Sequence, residues 1–510
     1  MKSIEKMMMC KFNLVFITAS VLLMAACGGS GGSGISGGGS DPSSITSVRS
    51  TCSPSTIQSG QASQCSATVT GTGNFSSAVT WTASVGAISS GGQFTAPVVA
   101  STTAVTITVT SEQDLTKFAT TTITVNPPQT TNNVQPIIVD PGPAPQSFFA
   151  VDELFTTVTV CIPNTTTCQS IDHVLVDTGS SGLRLLSTAS GGELTIVLPN
   201  QSDSSGNPLL ECEVFLDGYI WGNVARADIV MVGEKAPAAS VHVIIPPSSS
   251  PPVPGSCSGQ SMGPNEGSSL SALGANGILG VGLFQQDCGV ACTSQNQQIP
   301  PVYYGCAGSS CVPTYVTSAE QISNPTMFFA TDNNGVLIQL PAVPNGGSDT
   351  ANGSLFFGIG TQSNNALGSA TVYTVPASGS NAGDITTTFN GTSYPMSFID
   401  SGSNGIFFSD STTTGIPLCA KPNDSWYCPN PMPDDLSATT KGSNGNQGTV
   451  NFALENATTL FSGNHAAFST LGGPNSGAFD WGLPFFFGRR VFTAVENMNT
   501  PGGLGPYIAY

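Results

Sequence analysis

LVDTGSSGLRL, residues 175–185, is an apolar run interrupted by an aspartate that opens directly into Thr-Gly-Ser. Standing alone, the stretch reads as a turn, because Asp, Gly and Ser are ordinary turn residues. It does not stand alone. Residues 398–408 read FIDSGSNGIFF. Each copy has two apolar residues, Asp, Thr or Ser, Gly, Ser, a small polar residue, Gly, then Leu or Ile. Asp177 and Asp400 are 223 residues apart (400 − 177). One DTGS carries little weight in a chain this rich in Ser, Thr and Gly; a matched pair of decapeptides carries much more. An echo follows each copy, NGILGVGLF (276–284) and FDWGLPFF (479–486). In both, bulky residues run into a glycine, Gly280 or Gly482, where a strand can approach another backbone closely.

The surrounding composition fits an exported β protein. The chain has 510 residues, enough for two or three folded units. Charged residues make up 8% of it, against about 25% in an average soluble protein, and Gly (59), Pro (36), Ser and Thr take their place. A formal charge of −18 repels phosphate backbones and argues against nucleic-acid binding. Lys2, Lys6 and Lys11 precede the apolar run FNLVFITASVLLMAA, which is too short to span a bilayer comfortably. The run ends in LMAAC, which resembles a bacterial lipobox with Met24 in place of the usual Leu. That resemblance implies a signal peptide over 1–27, lipidation of Cys27 and a membrane anchor, with 28–44 as a Gly/Ser tether. By resemblance to Gram-negative lipoproteins, Gly28 after the cysteine favours the outer membrane.

Of 14 cysteines, twelve remain once Cys10 and Cys27 are set aside. Several are near neighbours: Cys52/Cys65, Cys161/Cys168, Cys288/Cys292, Cys306/Cys311 and Cys419/Cys428. The spacings 288/292 and 306/311 could imitate a zinc site, but an oxidising compartment favours disulfides, so no metal is expected.

Residues 45–127 form one expected unit. AVTITVT (104–110) and TTTITVN (120–126) alternate apolar residues with Thr, as half-buried strands do. With Trp81 and the GGQFTAP turn they resemble bacterial Ig-like repeats, small β-sandwiches that act as spacers or adhesive modules. PQTTNNVQPIIVDPGPAPQ, over 128–146, reads as a Pro-rich linker. Residues 147–510 lack a long amphipathic helix and read as many short strands.

Nearly all of that last region resembles a pepsin-type aspartic protease. ELFTTVTVCIPNTTTCQSIDHVLVDTGSSGL is similar to the N-terminal hairpin and first catalytic loop. GYIWGNVARADIVMVG is similar to the flap and its return strand, NGILGVG to the glycine strand behind the site, and NGSLFFGIGT to the strand before the interlobe crossing. FFFGRRVFTAVENMNTPGGLGPYIAY is similar to the closing strands. More closely, FDWGLPFFFGRRVFTA resembles an uncharacterised family of bacterial pepsin-like lipoproteins. The resemblance implies an all-β, bilobal double β-barrel with lobes at about 147–360 and 361–510. It implies Asp177 and Asp400 as catalytic residues. Ser180 and Ser403 would hydrogen-bond their outer oxygens, Thr178 and Ser401 would tie the loops together, and Gly179 and Gly402 would bring backbone N–H groups near.

The chemistry is sound on its own terms. Amide hydrolysis without metal or covalent intermediate needs a base for water and an acid for the leaving nitrogen. Two carboxylates close enough to share one proton supply both. The expected activity is a cell-envelope aspartic endopeptidase acting on protein or peptide substrates as a monomer, without cofactor. The alternative is a non-catalytic pepsin-like surface lipoprotein that binds or inhibits, since a fold does not fix a function.

Two positions depart from the pepsin pattern. Arg184 stands where pepsins usually carry Trp, seven residues after the first catalytic Asp. Phe215, the best match to the flap Tyr, lacks its hydroxyl; Gly218 and Tyr219 follow at the expected flap tip, where Tyr219 could substitute. Arg184 is either a solvated surface residue or the partner of Asp217 or Glu213 in a different flap lock. His173, His242 and His465 lie near no nucleophile motif, and the one G-x-S-x-G, GGSGG, falls in the tether without its strand and helix.

Overall fold

The computed structural model describes residues 43–99, 101–126, 133–143, 149–215, 218–260, 265–294, 300–433 and 435–510. Cys27, the signal segment 1–27 and most of the Gly/Ser tether lie outside the described residues, as does Asp217. The chain divides near residue 130 into two compact units.

The first unit pairs two four-stranded sheets. Alternation decides which side chains meet between them: in Thr103–Ser111, Val105, Ile107 and Val109 are fully buried while the intervening threonines stay more accessible. Ile57, Phe94, Ile123 and Val125, drawn from both sheets, complete one shared core. The result is a small β-sandwich.

The second unit is all-β and has two lobes, each built around one of the repeated loops. In the first, strand Cys168–Asp177 runs parallel to Gly277–Val281, with Asp177 opposite Gly280. The far edge of Gly277–Val281 pairs antiparallel with Ser181–Leu186. Strands packed on both faces need continuous apolar runs, and VLV before Asp177 and ILGV supply them. The second lobe repeats the pattern: Thr392–Ile399 is parallel to Asn475–Trp481, which pairs antiparallel with Ile406–Ser409. The sequence repeat is therefore a repeat of topology. Strands Gly335–Gln339, Ala351–Phe357, Arg490–Ala494 and Tyr507–Ala509 extend the first lobe's sheet through residues from both halves of the unit.

The Pro-rich segment read as a linker contains a strand. Val134–Val139 pairs with both Leu154–Cys161 and Ala351–Phe357. Proline content concealed an alternation in which Gln135, Ile137 and Val139 are buried and Pro136 is exposed between them.

Six disulfides use all twelve cysteines left after Cys10 and Cys27. Five join the near neighbours, so the spacings 288/292 and 306/311 are closed by sulfur rather than by zinc. The sixth, Cys212–Cys257, spans 45 residues and ties strand Leu209–Val214 to helix Gly255–Ser258. In the chain-entropy model a loop of that length is worth about 4 kcal/mol, against about 2 for the shortest bridge.

Candidate active site

Each aspartate sits where a buried strand ends. Behind Asp177, a β-carbon on Gly280 would lie 2.7 Å from the Ser181 backbone, and one on Gly282 would lie 2.6 Å from the Ser180 carbonyl oxygen. Behind Asp400, a β-carbon on Gly482 would lie 2.2 Å from the Gly405 carbonyl oxygen and 2.5 Å from that of Ser403. Only glycine lets the supporting strand come this close. The glycine that ends each echo thus presses the Asp loop forward from behind.

The two loops are fastened to each other reciprocally. The Thr178 N–H donates to Ser401 Oγ at 3.1 Å, and the Ser401 N–H donates to Thr178 Oγ1 at 2.9 Å. Ser401 Oγ in turn donates to the Val176 carbonyl at 2.7 Å. Each carboxylate is held the same way within its own loop. Asp177 accepts from the Gly179 N–H at 2.7 Å and from Ser180 Oγ at 2.5 Å. Asp400 accepts from the Gly402 N–H at 2.9 Å and from Ser403 Oγ at 3.2 Å. Across the join, a β-carbon at Gly179 would lie 2.6 Å from Asp400 Oδ2, and one at Gly402 would lie 2.8 Å from Asp177 Oδ1. Both aspartates are buried, as are Thr178, Ser180, Ser401 and Ser403. All eight loop residues singled out in the sequence are brought to one place.

The expected flap is the hairpin of Leu209–Val214 and Gly218–Met231, which starts with Val214 opposite Tyr219. The Phe215 N–H donates to the Gly218 carbonyl at 2.8 Å. Phe215 is buried among Phe155, Leu175, Leu186 and Ile278, against the strands that deliver Asp177 and Gly280. Tyr219 is half-buried and packs beside Trp221 and Tyr304.

Arg184 is fully buried, so the solvated reading is corrected. Its Nη1 donates to the Ser181 carbonyl at 2.7 Å, within the Asp177 loop. Its Nη2 lies 3.0 Å from Glu211 Oε1, 3.1 Å from Glu213 Oε1 and 3.8 Å from Asp287 Oδ2. Of the two proposed partners Glu213 is present, joined by two acids the sequence reading missed. His242 Nδ1 lies 2.7 Å from Glu211 Oε2, and Tyr303 Oη donates to Asp287 Oδ2 at 2.7 Å. Gly222, on the hairpin's return strand, has no room for a β-carbon, which would lie 2.7 Å from His242 Nε2. One signal for this cluster was available: Glu211 and Glu213 fall on the same face of an otherwise apolar strand, LLECEV, in a chain with few acids.

The three carboxylates offer oxygens within 4.8 Å of one another, a spacing that would suit a cation. The guanidinium already occupies that role. One fixed positive charge cannot balance three ionised acids in a dry interior, where each like-charge pair costs on the order of 3–4 kcal/mol at an effective dielectric near 20. The acids divide accordingly. Burial opposes ionisation of Glu211, yet the Arg184 guanidinium and His242 hold it below the usual carboxylate range. Burial pushes Glu213 up to about 8 against the pull of Arg184, with Glu211 adding to the rise. Burial, with Glu211 next to it, pushes Asp287 well above the carboxylate range. An oxygen of each of Glu213 and Asp287 lies within 4.8 Å of one of Glu211. The balanced state is one ion pair, Arg184 with Glu211, flanked by two neutral acids.

Residues 129–510 match the model of a family described as "Protein of unknown function (DUF3443)". No curated protein matches the sequence. Among solved structures, the chain is similar to an aspartic proteinase from Irpex lacteus, at 17% identity and a TM-score of 0.42, covering 74% of this chain and 96% of that one.

Proposed function

The chain belongs to this family of unknown function, so its own site must carry the assignment, and we propose that it is an aspartic endopeptidase whose dyad is Asp177 and Asp400. The observation that carries this reading is the reciprocal join of the two loops, which sets each carboxylate against the other loop's glycine. Carboxyls close enough to repel one another when both are ionised share one proton. The ionised member takes a proton from water as the water oxygen attacks the peptide carbon. The neutral member gives its proton to the carbonyl oxygen. The resulting diol collapses: the member that took the water proton gives it to the amide nitrogen, and the C–N bond breaks. A diol hydroxyl returns its proton to the other member as the acid forms, and the dyad again holds a single shared proton. Both aspartates come from one chain, so a monomer suffices.

Incubating the soluble part with a denatured protein across pH 3 to 7 tests the assignment. Cleavage is expected as a bell over acidic pH that fades towards neutrality as the shared proton leaves. No cleavage at any of these pH values would leave the binding-module reading in its place.

We further propose that the enzyme is held at the cell envelope, on the outer membrane, through lipid on Cys27, on the strength of LMAAC and the Gly/Ser tether. Cys27→Ala is expected to move the protein from the membrane fraction to the soluble fraction. A variant that stays membrane-bound to the same extent rules out the lipid anchor.

A further inference from the structure

The guanidinium of Arg184 is a single bracket between two parts of the first lobe. On one side it holds the Ser181 carbonyl, one residue beyond the serine that hydrogen-bonds Asp177. On the other it holds Glu211 and Glu213, both on the outgoing strand of the hairpin. Behind that strand, Glu211 is backed by His242 on Glu234–Ile244. Asp287 is fixed by the hydroxyl of Tyr303, which itself accepts the Ile322 N–H at 2.7 Å. Every side chain in the cluster is buried. Water screens charge buried this way poorly, so the cluster's charge balance is set by protons.

We propose that Arg184 is a positioning residue joining the 209–224 hairpin to the Asp177 loop, and that the protons carried by Glu213 and Asp287 are what keep this latch closed. With both acids neutral, the guanidinium faces one negative charge, that of Glu211, with Glu213 and Asp287 packed within 4.8 Å of it. Losing the proton of Glu213 places a second anion beside Glu211 on the same strand face. The strand then repels itself at the point where it is fastened. The latch is strongest in acid, the range in which the proposed dyad works. Its positioning role rests on the reading of Asp177 as catalytic; the proton dependence does not.

Titratable groups face the cluster from every packed element: Glu211 and Glu213 from the hairpin, Arg184 from Ser181–Leu186, His242 from Glu234–Ile244, Asp287 from the loop after Gly277–Val281, and Tyr303 from Tyr303–Ala307. The sign of the dependence follows from the acids. Glu213 holds its proton up to about pH 8 when the hairpin is closed, whereas an exposed glutamate releases it near pH 4.3. Closing is therefore favoured fully below that lower value, weakens as pH rises, and levels off above about 8 for this group.

Hydrogen–deuterium exchange of the full soluble chain, followed in peptides covering 209–215 and 218–224, reads the latch without using activity. Once the intrinsic pH dependence of exchange is divided out, protection should fall about tenfold per pH unit between pH 5 and pH 8 for each proton released. Glu213→Gln keeps the shape but cannot ionise, so its slope should be shallower by about tenfold per unit. If that variant does not fold, Asp287→Asn takes its place, with the same flattening expected. The slope should be unchanged in Asp177→Asn, so loss of the protease reading would not touch this result. Protection that is flat from pH 5 to pH 8 in the parent, or a slope unaltered in the folded acid variant, overturns the proposal.

Discussion

Asp177→Asn and Asp400→Asn are each expected to lower peptide hydrolysis by roughly 10²–10⁴-fold, the share ascribed to a positioned acid or base. The two variants should be about equally impaired, and the double variant little worse than either, because a shared proton makes the pair one unit. Folding should survive. In Asp177 the accepting atoms face the Gly179 N–H and the Ser180 hydroxyl. An amide oxygen can still accept the first, and the hydroxyl can turn to accept from the amide nitrogen. The same holds for Asp400 with Gly402 and Ser403. Removing one member of a like-charge pair also relieves repulsion, so thermal midpoints should change little. The measurement is initial rate on one peptide for parent and variants at the parent's optimum, with unfolding curves alongside. Parent activity that persists undiminished in both Asn variants would assign the cleavage to a contaminant or another site, and the dyad would be abandoned.

The parts of this molecule that could be read from sequence are those in which local pattern and global position coincide. The Asp loops were legible because the same decapeptide occurs twice, and the structure brings Asp177 and Asp400 together at the ends of equivalent strands. Gly280 and Gly482 were legible because a glycine in an apolar strand has few uses beyond close approach. The sandwich strands announced themselves by alternation of valine or isoleucine with threonine. What stayed hidden was long-range and had no period. Nothing near Arg184 in sequence says whether it meets Glu211, Glu213, Asp217 or water. The acids that decide it come from two distant segments, one carrying Glu211 and Glu213 and one carrying Asp287. Cys212 and Cys257 sit apart from the neighbouring pairs and lacked a spacing to join them. Val134–Val139 was hidden because prolines around it spoke for a linker, while its partners are Leu154–Cys161 and the distant Ala351–Phe357.

Arg184→Met should be the most damaging single change outside the dyad, and the loss should depend on pH. The chain carries few charges, yet it buries one guanidinium and three carboxyls together. Removing one partner of a buried ion pair typically costs about 3–5 kcal/mol, because the other is left uncompensated. Methionine fills most of the vacated volume, so the lost charge rather than a cavity should dominate. In the parent, Arg184 and His242 hold Glu211 below the usual carboxylate range. Its ionisation therefore stabilises the fold above the unfolded value near 4.3, and that contribution is lost as pH falls. Without the guanidinium, the largest pull against burial is gone, and Glu211 joins Glu213 and Asp287 in retaining a proton. Retaining one more proton than the unfolded chain costs about 1.4 kcal/mol for each pH unit above the unfolded value, up to the group's new folded value. Parent and variant should thus have similar denaturant midpoints near pH 4 and separate steadily towards pH 7. Adding Glu211→Gln to the variant removes the group that titrates and should recover much of the difference at pH 7 while changing little at pH 4. A deficit of equal size at both pH values would mean that Arg184 acts through packing, and the charge account of the cluster would fall with it.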